Sequence, residues 1–457
     1  MINWQQFGLR SNPYDTLPLI EGGELPINKA FVGRTIELQS LKDIFLSDSR
    51  ACLTILGNVG VGKTSLANFH KFLFKYEEKK KPLFSFRREI EASKNILNKK
   101  SFLTEVIGST LREIRLLDPD LIKKEEFLQK LEKLVDITQS LDISAGISIA
   151  GFGGEFGKTG ITEYPPSLSN TMLENYFSNL VEFIKSHEIA GKRFGGLIVH
   201  INNFDIVLSD SKEKRGVIGF FQEIRDILQT RDVYYLFLGP KHLFRDIISV
   251  EKRLKSVFHL SPLVVNPLSK LEIIKAFEER MDLLKSPDVV KYIAPFSNEA
   301  IFSLYDLYEG DARSIMNGLK DILSQVPETV LEPLGVDEAM LLLGKERWEV
   351  IKKSELTKEQ EELLIFLATS SNYVTQKDLA TKFKKAPSNI SGYYFNPLKD
   401  AGVIEVKKQD GKLKYWGLTQ DYIPIKYILK SKESIQQKTK EDIRQLSLFS
   451  KRVENGS

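Results

Sequence analysis

Residues 51–64 hold the pattern that most restricts how this chain can fold. Ala51-Cys52-Leu53-Thr54-Ile55-Leu56 is an apolar run of strand length, and Gly57-Asn58-Val59-Gly60-Val61-Gly62-Lys63-Thr64 follows it as a complete GxxxxGK[ST] loop. Glycines at 57, 60 and 62 let the backbone curl so that successive N–H groups point inward, a path that residues with a Cβ resist at positive φ. The spacing predicts a helix from Lys63 to about Tyr76, whose N-terminus faces the same concavity and favours an anion there. Residues Gly57 to Ser65 thereby form a predicted phosphate cradle. Lys63 is placed for the β- and γ-phosphates of a nucleoside triphosphate such as ATP, and the Thr64 hydroxyl for Mg²⁺.

At 457 residues the chain exceeds what one hydrophobic core organises, which predicts two or three domains. With 42% hydrophobic and 28% charged residues and no apolar run near the length needed to span a bilayer, it reads as a soluble cytoplasmic protein with no membrane partner. Met1-Ile2-Asn3-Trp4-Gln5-Gln6 lacks the basic start and apolar stretch of a signal peptide. Cys52 is the single cysteine, so no disulfide forms within the chain and a reducing compartment fits. The net charge of +4 is too small to indicate nucleic acid by itself; where the lysines lie decides that question.

From Ala51 to about Phe258, apolar strand-like runs alternate with amphipathic helical runs, the pattern of an α/β fold with a parallel sheet covered on both faces. Leu83–Phe86, Leu197–Ile201 and Val233–Leu238 are the further strand candidates. This first domain, residues 1–265, includes a leading segment with Phe31-Val32-Gly33-Arg34 and a helix from Thr35 to about Leu46. It also carries an insertion at 142–161, rich in glycine, that reads as a hairpin or flexible loop, either structural or contacting a partner. Residues 266–345 are purely helical: Ser269 with Glu272 makes a capping box, Asp311 caps a later helix, and the domain ends near Gly344. A third unit spans 352–430, and 431–457 is a polar tail.

A nucleotide site of this kind needs a second strand ending in acidic residues, which hold the water shell of Mg²⁺ and polarise the attacking water. Gly196-Leu197-Ile198-Val199-His200-Ile201-Asn202-Asn203-Phe204-Asp205 is the candidate, with Asn202 and Asn203 where two carboxylates are expected. An amide oxygen accepts a hydrogen bond from metal-bound water, yet it carries no charge and takes no proton. Nucleotide binding survives this substitution, whereas fast hydrolysis does not, unless Asp205 substitutes. His200 reads as a core histidine. Arg313, two residues after the cap Asp311, falls in a first helical turn where a cation opposes the helix dipole, which points to an anion supplied from outside the helix.

The third unit has the signatures of a winged helix. Thr357 opens one helix, Thr375 with Asp378 caps a second, and Ala386-Pro387-Ser388-Asn389 starts a third. Gln409-Asp410-Gly411-Lys412 makes the turn of a wing. Lys382, Lys384, Lys385, Lys407, Lys408, Lys412 and Lys414 are placed for the phosphates of double-stranded DNA, and Ser388, Asn389, Ser391 and Tyr394 for base edges. Pro397 is predicted to end or kink the third helix early. The alternative is a winged helix that serves protein contacts, its lysines merely solvated.

Taken together, Phe31-Val32-Gly33-Arg34 with Glu37, the phosphate loop, the strand ending at Asn202 to Asp205, Arg253-Leu254-Lys255-Ser256 and Gly310-Asp311-Ala312-Arg313 resemble the AAA+ ATPases. Within them the likeness is to the origin-recognition initiator group of archaea and eukaryotes. The resemblance implies a P-loop AAA+ sheet core, a helical lid and a winged helix. It implies that Phe31 and Val32 lie near the adenine, that Arg313 senses the γ-phosphate from the lid, and that Arg253 reaches a neighbouring subunit in a self-assembled complex. Two departures stand out: the amide pair at Asn202 and Asn203, and a strand 233–238 that ends in Gly239-Pro240 without a polar sensor. Gln445-Leu446-Ser447-Leu448-Phe449 in the tail looks like the peptide with which bacterial proteins bind the replication sliding clamp. The expected function is an ATP-dependent DNA-binding switch in replication initiation, loading or mobile-element transactions, with slow turnover. The rival is a signalling or defence ATPase that assembles with nucleotide and recruits an effector.

Overall fold

The computed structural model describes residues 2–144, 169–209, 213–326, 332–353, 356–370 and 373–429. The predicted insertion therefore lies outside the described residues except for 142–144, which continue the helix Glu126–Ser144, and so does the peptide 445–449. The chain forms two compact units, residues 17–268 and residues 1–16 with those from 269 onward.

Residues 17–268 are an α/β unit built on an all-parallel sheet of β1 (Ala51–Leu56), β2 (Phe84–Ser85), β3 (Ile90–Glu91), β4 (Leu197–Asn202), β5 (Val233–Gly239) and β6 (Leu263–Val264). Its order is β2-β4-β5-β1-β6, with β3 beside the far end of β4, so β5 separates the phosphate-loop strand from the strand that carries Asn202. β2 and β3 share one edge of β4, pairing its start (Phe84 with Leu197) and its end (Glu91 with Asn202). Strand side chains alternate between two apolar layers. Leu197, Val199 and Ile201, with Val233, Tyr235 and Phe237, enter the layer under helices Lys99–Leu117, Asn170–Ser186 and Lys214–Ile224. Ile198, Tyr234, Leu236 and Leu238 enter the opposite layer, under helices Thr35–Ser47 and Lys63–Phe72. Burial on both faces explains why these strands read as continuous apolar runs.

The second unit differs from the sequence reading at its edges. Residues 1–16, assigned by pattern to the nucleotide domain, group instead with the chain after 269. Tyr14 is fully buried, edge-on to Phe277 at 5.3 Å, and the Arg10 N–H donates to the Leu284 carbonyl at 2.9 Å. Arg280, 7% exposed, donates from Nη1 to the carbonyls of Pro13 at 3.2 Å and Asp15 at 2.8 Å. The helical segments Lys270–Leu284, Asn298–Leu307 and Ala312–Leu323 follow, and the predicted capping box of Ser269 and Glu272 is present. The next helix, Val336–Lys352, runs through Gly344, where the sequence pattern puts the end of the helical domain, and places Trp348 and Ile351 in the core of the following helices and strands.

That last part has the order helix (Lys358–Thr369), β7 (Val374–Thr375), helix (Gln376–Phe383), a third helical segment (387–400), β8 (Ile404–Asp410) and β9 (Leu413–Leu418). The strands form an antiparallel sheet β7-β9-β8. Thr357 and Thr375 both make capping boxes, as their spacing predicts. Pro397 neither ends nor breaks the third segment, because the chain widens to a π-helical turn over Ile390–Phe395 just before it. The Tyr393 carbonyl, four residues upstream of the proline that lacks an N–H, accepts from Gln360 Nε2 at 2.9 Å.

Gly344 marks a close approach, not a terminus: a Cβ there would lie 2.4 Å from the Pro424 carbonyl oxygen. Helix propensity alone favours alanine by about 1 kcal/mol, but forcing a methyl against rigid backbone costs about 1–3 kcal/mol. Gly344→Ala is expected to lower stability by ~1–2 kcal/mol in denaturant unfolding.

Candidate nucleotide site

The loop between β1 and helix Lys63–Phe72 has the backbone its glycines forecast, with φ of 80° at Gly60 and 90° at Gly62. Gly57 answers to a different constraint, since a Cβ there would meet the Val265 carbonyl oxygen at 2.6 Å. Lys63 is 8% exposed and lies back across the loop, donating from Nζ to the carbonyls of Gly57 at 3.1 Å and Asn58 at 2.8 Å. An ammonium so held stands at the loop's mouth as a fixed positive charge beside the N-terminus of the helix.

Thr64, the first-turn hydroxyl, meets the tip of β4. Asn202 Nδ2 donates to Thr64 Oγ1 at 2.8 Å, so the two residues predicted at the metal are adjacent across the intervening β5. An amide serves as donor or acceptor there, where a carboxylate only accepts. These residues fit a nucleotide with Mg²⁺ on one condition. Among the described residues no group of three or more His, Cys, Asp or Glu side chains could hold a metal, so the ion would rest on phosphate oxygens, Thr64 and water.

The remaining predicted residues divide into groups. Asn203 sits at φ 67°, the left-handed turn that starts the short helix Phe204–Val207, a conformation asparagine tolerates better than most residues. Asp205 lies in that helix's first turn, half-buried. Ser65 Oγ accepts the Leu19 N–H at 3.2 Å, and Asn68 Nδ2 donates to the Leu19 carbonyl at 3.0 Å, so the leading segment is strapped along the phosphate helix. Phe31 stacks on Phe69 with ring centroids 4.3 Å apart, and Val32 beside it is half-buried. Arg253 is exposed on the short helix Lys252–Lys255. Arg313 is exposed in the first turn of Ala312–Leu323, where Asp311 accepts from the Arg313 and Ser314 N–H groups; it belongs to the other unit from the phosphate loop. His200 is fully buried and neutral, burial pushing its pKa well below the usual histidine range.

The tip of β5 without a polar side chain is closely packed. A Cβ on Gly239 would lie 2.7 Å from Leu243 Cδ2 and 3.1 Å from Phe204 Cβ, so a side chain there requires Leu243 to move.

Among the basic residues of the last part, Lys384, Lys385, Lys408, Lys412 and Lys414 are exposed, as are Ser388 and Asn389, while Ser391 is half-buried. Lys407 is diverted into an ion pair with Glu405, and Lys382 Nζ sits 4.2 Å from the centre of the Phe366 ring. Tyr394 is corrected outright: at 3% exposure it belongs to the core, and its neighbour Tyr393, 73% exposed, is the tyrosine on the surface.

Sequence reasoning gave Arg34 no role. Its guanidinium is 8% exposed, with Nη2 donating to the Val61 carbonyl of the phosphate loop at 2.8 Å and Nη1 paired with Glu37 Oε1 at 3.1 Å. Gly33 and Arg34 both have left-handed backbones, φ 74° and 64°, which turn the arginine under the loop. The signal was a charged residue beside a glycine, in a segment too far from the loop in sequence to suggest contact.

No protein-family model and no curated protein matches the chain. Among solved structures it is similar to the ORC2 protein of Aeropyrum pernix in ADPNP–ADP complexes, at 13% identity over 93% of this chain and 100% of that one, TM-score 0.47. It is similar to the ORC1 protein of the same organism in complex with DNA, at 13% identity over 94% and 99% of the two chains, TM-score 0.43. The Cdc6p of Pyrobaculum aerophilum is a further likeness, at 14% identity over 89% and 97%, TM-score 0.36.

A charge-assisted hydrogen bond from a buried arginine contributes about 1.5–3 kcal/mol. Arg34→Ala is therefore expected to weaken nucleotide binding roughly tenfold in calorimetric titration, about 1.4 kcal/mol. Arg34→Lys, which keeps the charge without the planar fork, should fall between the two.

Proposed function

We propose that this chain binds ATP with Mg²⁺ and double-stranded DNA, and acts as a nucleotide-dependent switch of the AAA+ type in replication initiation, loading or mobile-element transactions. The observation that carries the proposal is the phosphate loop: left-handed Gly60 and Gly62, a buried Lys63 at its mouth, and Thr64 in contact with the tip of β4. The loop amides and Lys63 hold the phosphates, and Thr64 with Asn202 stands at the metal. Bound Mg²⁺ supplies charge compensation on the phosphate oxygens. Phe31 and Val32 border the base. Because the tip of β4 is an amide, β4 itself offers no group to take a proton, and turnover is slow.

In this reading, Lys358–Leu418 is a winged helix whose exposed lysines, with Ser388, Asn389 and Ser391, meet the duplex. Arg253 serves self-assembly, and 445–449 contacts a sliding clamp. The rival, a nucleotide-gated scaffold in signalling or defence, is favoured by the ion pair of Lys407 with Glu405, which engages one of the predicted phosphate-binding lysines.

Measuring duplex affinity of the full chain against salt separates the two readings. A DNA-binding surface gives a linear fall of log K with log salt, and Lys384→Glu or Lys412→Glu, by removing one cation from a phosphate, each makes the slope shallower by about 0.9. The scaffold reading expects no such slope. Lys63→Ala should abolish nucleotide binding in either case.

A further inference from the structure

The tip of β4 lacks a carboxylate, but the strand beside it does not. β3 ends at Glu91, and in the parallel β3–β4 pair Ile90 stands opposite Ile201 and Glu91 opposite Asn202. Residues in register on parallel neighbours share a face, about 4.8 Å apart from strand to strand. The buried pair establishes which face is which, since Ile90 and Ile201 both enter the layer under helix Lys99–Leu117. Glu91 and Asn202 are therefore on the opposite face, the one where Asn202 reaches Thr64 at the head of the phosphate helix. Glu91 is exposed, and among the described residues no hydrogen bond or ion pair engages its side chain.

Asp205, the acid nearest in sequence, is placed differently. After the left-handed turn at Asn203 the chain bends toward the other layer, where Phe204 and Val207 are buried. Asp205 thus sits in a short helix anchored by Phe204 and Val207 in that other layer, whereas Glu91 stands in register with the residue that touches Thr64.

We propose that Glu91 is the carboxylate that accepts the proton of the water attacking the γ-phosphorus, a task the amide at Asn202 cannot perform. This rests on the nucleotide-binding reading above. In the step, the water oxygen bonds to the γ-phosphorus and the bond from that phosphorus to the bridging oxygen breaks. Its electron pair leaves on the nucleoside diphosphate. One water proton passes to the Glu91 carboxylate and then to solvent, and the other stays on the released phosphate. The site is thereby divided between two strands: β4 contributes the neutral contact to Thr64, and β3 contributes the base.

The test compares full-length wild type with Glu91→Gln and Asp205→Asn. Three quantities are read: affinity for a non-hydrolysable ATP analogue, ATP turnover, and the identity of the nucleotide that stays with the protein after incubation with ATP and desalting. Glu91→Gln is expected to bind the analogue within about twofold of wild type, to lose at least tenfold in turnover and to retain ATP where wild type retains ADP. Asp205→Asn should lose less turnover than Glu91→Gln, and thermal unfolding of Glu91→Gln should be unchanged. Turnover that persists in Glu91→Gln, or a wild type that binds the analogue and hydrolyses nothing, overturns this proposal and leaves the nucleotide site standing. A wild type that fails to bind the analogue overturns both.

Discussion

The site hangs from β1. As an interior strand, fully buried between β5 and β6, it has no freedom to shift, so the loop that leaves its C-terminal end starts from a fixed point. Everything that shapes the loop is then referred to that point. Val265 crowds Gly57 from the β6 side, Arg34 holds the Val61 carbonyl from below, and the tip of β4 reaches Thr64 from beyond β5. Inward-facing amides form an anion cradle when the backbone is held open before the ligand arrives, so that little ordering remains to be done on binding. Each of these contacts serves that end.

The amide tip changes the electrostatics more than the geometry. A carboxylate at Asn202 would add a negative charge beside the phosphate loop; the amide keeps the Thr64 contact and omits the charge. Lys63 and the helix N-terminus are left as the dominant fields, both favourable to anions. Such a site is suited to holding nucleotide, and its chemistry depends on where else a base can be found.

Much of this was legible from residue order. The loop, the strand before it and the helix after it follow from glycine stereochemistry and apolar pattern, and the capping boxes at Ser269, Thr357 and Thr375 follow from spacing three residues apart. What escaped has a common cause: it depends on neighbours distant in the chain. Gly344 looks like the end of the helical domain until Pro424 is seen against it. Pro397 looks like a helix breaker until a π-helical turn and Gln360 accommodate it. Tyr393 and Tyr394 differ only in which way a turn of helix faces, and the widened turn makes that phase hard to read from a 3.6-residue period. Arg34 and Glu91 have no role legible in residue order because the residues that stand beside them, Val61 and Asn202, are contributed by other segments.

The grouping of residues 1–16 with the chain after 269 bears on how the protein is made. Phe7, Leu9 and Tyr14 leave the ribosome before the residues of the sheet, yet Phe277 and Phe296, which pack on Tyr14, are translated more than 250 residues later. During elongation the parallel sheet can close as a unit while this apolar leader waits. The second unit is thus assembled from stretches on either side of the first, and its folding can finish only after the first has been synthesised in full.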